Sequence, residues 1–357
     1  MADVAKRPLE MEDEGALVEV KRAKIDGSLA VSTASGSGRS IPIKEGPRRT
    51  SGLSSPTLLL SGHGDQVFGV SFSASGAHLA SCSHDKTVLL WHTYGECANF
   101  GMLRGHSNAV TQVCWRGGDE GVVSASADRS LRVWDVETGA QIKRCREHSE
   151  VVNGCAALEN GPPLLASCSD DGTARLWDVR AKRSVACVTE RYQLMAVALT
   201  KDGDRLCAAG LDGVVRVWDV RRPEEPVLAL QGHSDVVTGL ALHPEGSHLL
   251  SNSADNTLRV WDLRPWAPRD RCSGTLVGLS HGFERNLLRC AWDARGERAA
   301  AGSADRWVNV WDVRSKALLY KLPGHGASVN DVAFHPREPV VASASSDKTI
   351  YLGELAE

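Results

Sequence analysis

An aspartate returns along this chain at a nearly fixed interval, at Asp85, Asp128, Asp171, Asp212, Asp255, Asp305 and Asp347, with gaps of 43, 43, 41, 43, 50 and 42 residues. Six residues after each of the first six stands a tryptophan: Trp91, Trp134, Trp177, Trp218, Trp261 and Trp311. A histidine, usually following glycine, precedes six of the aspartates by 22 to 24 residues, at His63, His106, His148, His233, His281 and His325. Seven units with these residues in one order are too regular for chance. They predict an array of equivalent supersecondary units, each burying its apolar face only against its neighbours.

The content of a unit is extended chain. Stretches such as 237–242 (VTGLAL) and 329–334 (VNDVAF) are apolar and rich in β-branched residues, and turn formers such as 243–246 (HPEG) and 293–296 (DARG) follow them. Next come a small-residue strand such as 79–83 (LASCS), a two-residue turn beginning with the repeated aspartate, and a strand ending in the tryptophan. No helical periodicity runs through the repeats. Four strands per unit predict an all-β, seven-bladed β-propeller over residues 56–357. The last unit runs out after its third strand, so its fourth must come from elsewhere. Residues 57–60 (TLLL), just ahead of Gly62-His63, are the spare strand. Pairing there would close the ring and leave no open sheet edge.

The period and the G-H and W-D signatures resemble the WD-repeat family. The resemblance implies one buried hydrogen-bonded tetrad per complete blade. These are His63, Ser81, Asp85 and Trp91; His106, Ser124, Asp128 and Trp134; His148, Ser167, Asp171 and Trp177; and His233, Ser251, Asp255 and Trp261. Serine, histidine and aspartate also make up a hydrolase triad. Four copies spread round a ring serve the blades, however, where one reaction centre needs one copy. Three repeats depart from the pattern: Glu190 and Ala208 replace His and Ser in the fourth, Ala301 replaces Ser in the sixth, and Gly353 replaces Trp in the seventh. There is no Walker A loop, no H-E-x-x-H, no dinucleotide fingerprint and no supported carboxylate pair. The expectation is a protein that is not an enzyme, with no catalytic residue, cofactor, metal or small-molecule substrate.

Function in such a fold sits on its surfaces. In better-known WD-repeat proteins, contact residues cluster at the start of each first strand and just before the turn aspartate. The matching positions here include Gln66, Phe68, His84, Asn153, Asp170, Gln193, Met195, Leu211, Thr238, Asn330 and Ser346. The 50-residue unit adds a second candidate, since its surplus falls near 264–272 (RPWAPRDRC), where Trp266 is flanked by prolines. Either it stands on the surface as an aromatic anchor or it packs back onto its own blade.

Longer stretches resemble a narrower group, the WD-repeat subunits of the U5 small nuclear ribonucleoprotein of the spliceosome. They are 169–180, 233–272, 286–312 and 319–336, and they include the R-P-W-A-P insertion, the N-L-L-R-C strand and the Y-K-L-P-G-H approach to the last blade. The resemblance runs from about Leu58 onward. It implies a nuclear scaffold subunit of the U5 particle and tri-snRNP that supports pre-mRNA splicing. It would dock on the large central scaffold protein of that particle and reach snRNA mostly through protein neighbours. No obligate homo-oligomer is expected. A formal charge of −3 fits this reading, since direct phosphate binding favours a concentrated cationic surface.

A different function has its own motif. Four third strands end in W-D-x-R, at Arg180, Arg221, Arg264 and Arg314, which resembles the signature of WD-repeat substrate receptors of cullin-RING ubiquitin ligases. In those receptors the arginine contacts the ligase adaptor. Alternatively these are rim arginines pairing with local acids. Direct single-strand RNA binding has less behind it, because neither aromatic nor basic residues concentrate on one face.

Ahead of the repeats, residues 1–55 alternate acidic and basic patches around a Ser/Gly/Thr-rich stretch, without apolar periodicity. Such a composition predicts a disordered tail. Within it Lys21, Arg22 and Lys24 form a basic cluster that reads either as a nuclear-import signal or as a solvated charge run. No apolar run has bilayer length, so no membrane partner is expected. The ten cysteines form no C-x-x-C pair and read as reduced, largely buried thiols.

Overall fold

Seven antiparallel four-stranded sheets form a ring of blades in the computed structural model, which describes residues 50–158, 162–268, 270–282 and 286–355. The first blade is Val67–Phe72, His78–Ser83, Thr87–His92 and Asn99–Arg104, running from the channel outward. The same meander begins again at Val110, Val152, Leu194, Val237 and Cys290. The seventh blade consists of Val329–Phe334, Val340–Ser345 and Thr349–Glu354, completed by Thr57–Ser61 from the front of the chain. That closing strand pairs antiparallel, with Thr57 opposite Gly353 and Ser61 opposite Thr349. Its Leu58 and Leu60 are buried with Val340, Ala342 and Ile350, so the closure expected from the strand deficit is present.

The body begins earlier than residue 56. The Thr50 and Ser51 amides donate to Glu354 Oε1 at 2.6 and 3.0 Å, the Gly52 amide donates to Glu338 Oε2 at 2.9 Å, and Leu53 is buried. Residues 50–55 therefore dock on the last blade and do not belong with the tail. The rest of the tail, with Lys21, Arg22 and Lys24, lies outside the described residues, and so do the readings that fall on it.

The hairpin carrying the repeated aspartate differs from expectation by one residue. Between His78–Ser83 and Thr87–His92 lie three residues, His84, Asp85 and Lys86, so the aspartate sits in the middle of the turn. The residue after it takes positive φ, as a type I turn with a G1 bulge requires: Lys86 (71°), Arg129 (65°), Asn256 (63°), Arg306 (75°) and Lys348 (72°), with Gly172 and Gly213 in blades three and four. At Gly172 a Cβ would also stand 2.6 Å from the Glu190 carbonyl oxygen, so glycine is needed there twice over.

Each tryptophan fills the seam between its own blade and the one before. Trp91 packs with Leu58, Leu60 and Ile350 of blade seven, and Trp134 packs with Val88, Leu90 and Leu103 of blade one. Blade seven has Gly353 at this position. Its seam with blade six is filled by Val308, Val310, Val341 and Leu355 with the partly buried Tyr320 and Phe334. All ten cysteines are free; burial pushes the Cys97 thiol up to about 11 and the Cys207 thiol up to about 12, so these two stay protonated.

Candidate interaction surfaces

The four predicted tetrads assemble with nearly identical geometry. In the first, the Trp91 indole N–H donates to Ser81 Oγ at 2.9 Å, Ser81 Oγ lies 2.7 Å from His63 Nε2, and His63 Nδ1 lies 2.9 Å from Asp85 Oδ2. The second, third and fifth blades repeat these His–Ser and His–Asp distances, 2.7 and 2.9 Å. The chain of donors fixes the tautomer: the serine hydroxyl donates to Nε2, and Nδ1–H donates to the carboxylate. Burial, partly offset by the aspartate, holds His106, His148 and His233 below the usual histidine range. Burial, the largest single influence, opposes ionisation of Asp85 and Asp128, but the histidines together with the turn hydroxyls of Thr87 and Ser130 and backbone amides outweigh it and hold both carboxyls well below the usual range. A neutral imidazole on an ionised carboxylate braces the turn. The serine is fully buried and already accepts the indole proton, so it is not presented to any substrate.

The irregular repeats are rewired in different ways. In blade four Arg216 joins Glu190 (3.5 Å) and Asp212 (2.6 Å) in an ion cluster where histidine and serine are missing. In blade six His281 Nε2 reaches back to Asn252 Oδ1 of blade five at 3.3 Å, and the Trp311 indole donates to the Val277 carbonyl at 3.0 Å. Blade seven retains more of the tetrad than the missing tryptophan suggests. His325 engages Ser343 at 2.8 Å and Asp347 at 3.1 Å, and Tyr351 lies edge-on to the imidazole. The sequence reading overlooked Ser343, although it stands four residues before Asp347, as Ser81 does before Asp85.

On the face carrying these turns, the candidate contact residues divide into two sets. Gln66, His84, Gln193 and Leu211 are exposed, and the backbone joins them in pairs: the His84 amide donates to the Gln66 carbonyl, and the Leu211 amide to the Gln193 carbonyl. Phe68 lies edge-on to His84, and Phe68, Asp170, Met195 and Ser346 are half-buried. Asn153, Thr238 and Asn330, by contrast, are buried, which corrects their reading as open contact residues. Each sits at a β-bulge in its first strand and stitches its blade to the next. Asn153 Nδ2 donates to the Leu194 carbonyl at 2.9 Å, Thr238 Oγ1 to that of Leu288 at 2.8 Å, and Asn330 Nδ2 to that of Val67 at 2.8 Å. Thr111, which sequence reasoning missed, does the same to Val152 at 2.6 Å.

One residue further along the first strands, the side chains meet in the channel. Gly69, Gly154, Ala196 and Gly239 leave space there, and Gln112, Arg289 and Asp331 occupy it. Arg289 Nη2 donates to the Thr111 carbonyl at 3.2 Å and the Asn153 carbonyl at 2.8 Å. Asp331 accepts the Val70 and Val332 amides at 3.0 and 2.8 Å, and burial, moderated by Arg289, raises its carboxyl to about 6.

The opposite face carries the W-D-x-R arginines, and a local cause for the motif is visible. The aspartate's Oδ1 accepts the amide two residues on, at Arg180 (2.8 Å), Arg221 (2.9 Å), Arg264 (2.9 Å) and Arg314 (3.1 Å), which is an Asx turn. Blade two makes the same turn with Glu137 in place of arginine. Two of the guanidinium groups are engaged locally: Arg221 with Asp204 at 3.0 Å, and Arg264 with its own Asp262 through Nε and Nη2. Trp266 stands clear of its blade at 77% exposure, which settles its orientation toward solvent.

Fold and repeated tetrad together define a WD-repeat propeller. Seven segments, 54–92, 97–135, 139–178, 186–219, 224–262, 272–312 and 316–352, match the family described as WD domain, G-beta repeat, and the chain belongs to that family. Within it, the chain is 45% identical over 344 residues to the U5 small nuclear ribonucleoprotein 40 kDa protein of Homo sapiens, covering 95% of this chain and 96% of the relative. The protein of the same name from Dictyostelium discoideum is 44% identical over 322 residues, with 90% of each chain covered. The pre-mRNA-splicing factor cwf17 of Schizosaccharomyces pombe is 41% identical over 308 residues, covering 86% of this chain and 90% of the relative.

Proposed function

We propose that this chain is a non-catalytic interaction scaffold, a structural subunit of the U5 particle and tri-snRNP that acts in pre-mRNA splicing in the nucleus. The observation that carries this reading is likeness at 45% identity along nearly the full length of a U5 subunit, including all seven blades. Its principal partner is the large central scaffold protein of the particle, and snRNA is reached mostly through protein neighbours. A formal charge of −3 supports this route, since direct phosphate binding favours a strongly cationic chain. Immunoprecipitation of the tagged chain from nuclear extract tests this. U5 snRNA and the large splicing proteins are expected in the precipitate, and their absence would defeat the assignment. Purified protein that bound RNA alone with a steep salt dependence would defeat the protein-mediated route.

A further inference from the structure

The rim between blades four and five differs from the rest of the ring. The outer strand of blade four, Arg222–Leu230, runs nine residues where the outer strands of blades one and five run six. Beside it, the surplus of the 50-residue unit folds along the edge. Ala267, Pro268 and Asp270 face Val227–Gln231 across a groove of about 460 Å³. The loop is pinned in place: Arg205 Nη1 donates to the Leu263 carbonyl at 3.3 Å, and Arg271 Nη1 donates to the carbonyls of Asp262 and Arg264 at 3.1 and 2.9 Å. From this support Trp266 projects at 77% exposure, with Val227 at 54% on the neighbouring strand. An indole held out on a fixed loop loses little further freedom when it is covered.

Charge narrows the occupant. Among the described residues, Arg264 is spent on Asp262, Arg271 on carbonyls and Arg221 on Asp204, while Arg222 lies opposite Asp219 in the strand register. Glu224 and Glu225 are exposed and have no ion-pair partner among the described residues. Pro223 and Pro226 remove amide donors from the same strand, so an added strand would find a poor edge and recognition must run through side chains. We propose that this groove docks a segment of a neighbouring protein in the U5 particle. That segment seats an apolar side chain against Val227 and Pro268, covers Trp266, and sets lysine or arginine against Glu224 and Glu225.

The inference rests on the U5 assignment, and the experiment separates the two. Tagged wild type, Trp266→Ala and the double variant Glu224→Lys/Glu225→Lys are immunoprecipitated from cells and scored for U5 snRNA. Wild type that fails to recover U5 snRNA sinks the assignment itself. Wild type that recovers it, with both variants reduced about tenfold or more, supports the groove, as removal of a hot-spot aromatic should. Full recovery by Trp266→Ala overturns the proposal, and loss by Trp266→Ala without loss by the charge reversal overturns the basic occupant. RNase treatment before washing should leave the U5 proteins bound to wild type; their release would make the occupant RNA and overturn it as well. Because the substituted side chains are exposed, thermal unfolding of all three proteins should coincide, which excludes misfolding as the cause of any loss.

Discussion

Arg289, just ahead of the first strand of blade six, donates its Nη2 to the carbonyl oxygen of Asn153 on blade three at 2.8 Å, so a single guanidinium crosses the central channel. A second bond from the same nitrogen, to Thr111, brings blade two into the contact. Blades that are distant in sequence and not adjacent in the ring are thus tied through their backbones. The small residues Gly69, Gly154 and Gly239 at the same level make room for the crossing.

Arg289→Ala should cost about 2–3 kcal/mol, because two buried carbonyls lose a charged donor. Urea unfolding would register the loss as a lower midpoint. Arg289→Lys should recover only part of it, since a compact ammonium cannot reproduce the planar fork. A midpoint equal to wild type in Arg289→Ala would show that the crossing carries no stability.

Asp331, facing Arg289 in the channel, should give the fold a pH dependence of unusual sign. Its carboxyl is raised to about 6, above the value of roughly 4 expected in the unfolded chain. The stability from this group is complete below pH 4 and is lost as pH rises through 6. Asp331→Asn removes the titration, so the melting temperature of the variant relative to wild type should climb between pH 4 and pH 7. A constant difference across that range would contradict it.

The tetrads act in the opposite direction. His106, His148 and His233 are held below their unfolded value near 6.5, so unfolding in acid takes up protons and stability falls as pH drops below 6.5. Asp85, Asp128 and Asp347 are held below the usual carboxylate range, and their contribution is lost below about pH 4. Melting temperature should be level near neutrality, decline below pH 6.5 and fall steeply below pH 4. Ser124→Ala, which breaks one tetrad, should weaken the first of these declines.

Blade six offers a contrast within one molecule. Ser124→Ala leaves the Trp134 indole and His106 without their shared partner and should cost about 1–3 kcal/mol. The reverse change Ala301→Ser, which restores the family residue, should bring no gain. His281 is already engaged by Asn252, and the Trp311 indole by the Val277 carbonyl. Paired melting curves decide the point, and stabilisation by Ala301→Ser would show that the blade can return to the common wiring.

What could be read from the residues alone follows from which groups repeat. Side chains recurring once per blade, as in Ser81, Asp85 and Trp91, announce the tetrad. The strand missing from the last unit pointed to residues 57–60. Asn153, Thr238 and Asn330 were misplaced because position along a strand does not tell which way a bulge turns its side chain. Arg289 stood in the N-L-L-R-C stretch, but its role carried no signature, since its partners are backbone carbonyls that any residue possesses. The only hint was glycine at 69, 154 and 239, where other first strands carry Gln112, Arg289 or Asp331. The surplus around Trp266 was legible as length, but its pinning by Arg205 and Arg271 was not.

Residues 57–61 are made well before the segment they pair with, 349–354. While the repeats are being made the nascent polypeptide is therefore a growing arc with two raw ends, and its seal waits for 349–354. A stop ahead of residue 349 would strand both ends and expose Leu58 and Leu60 to whatever edge lay nearby. A closed ring is in this way reserved for chains translated through residue 354.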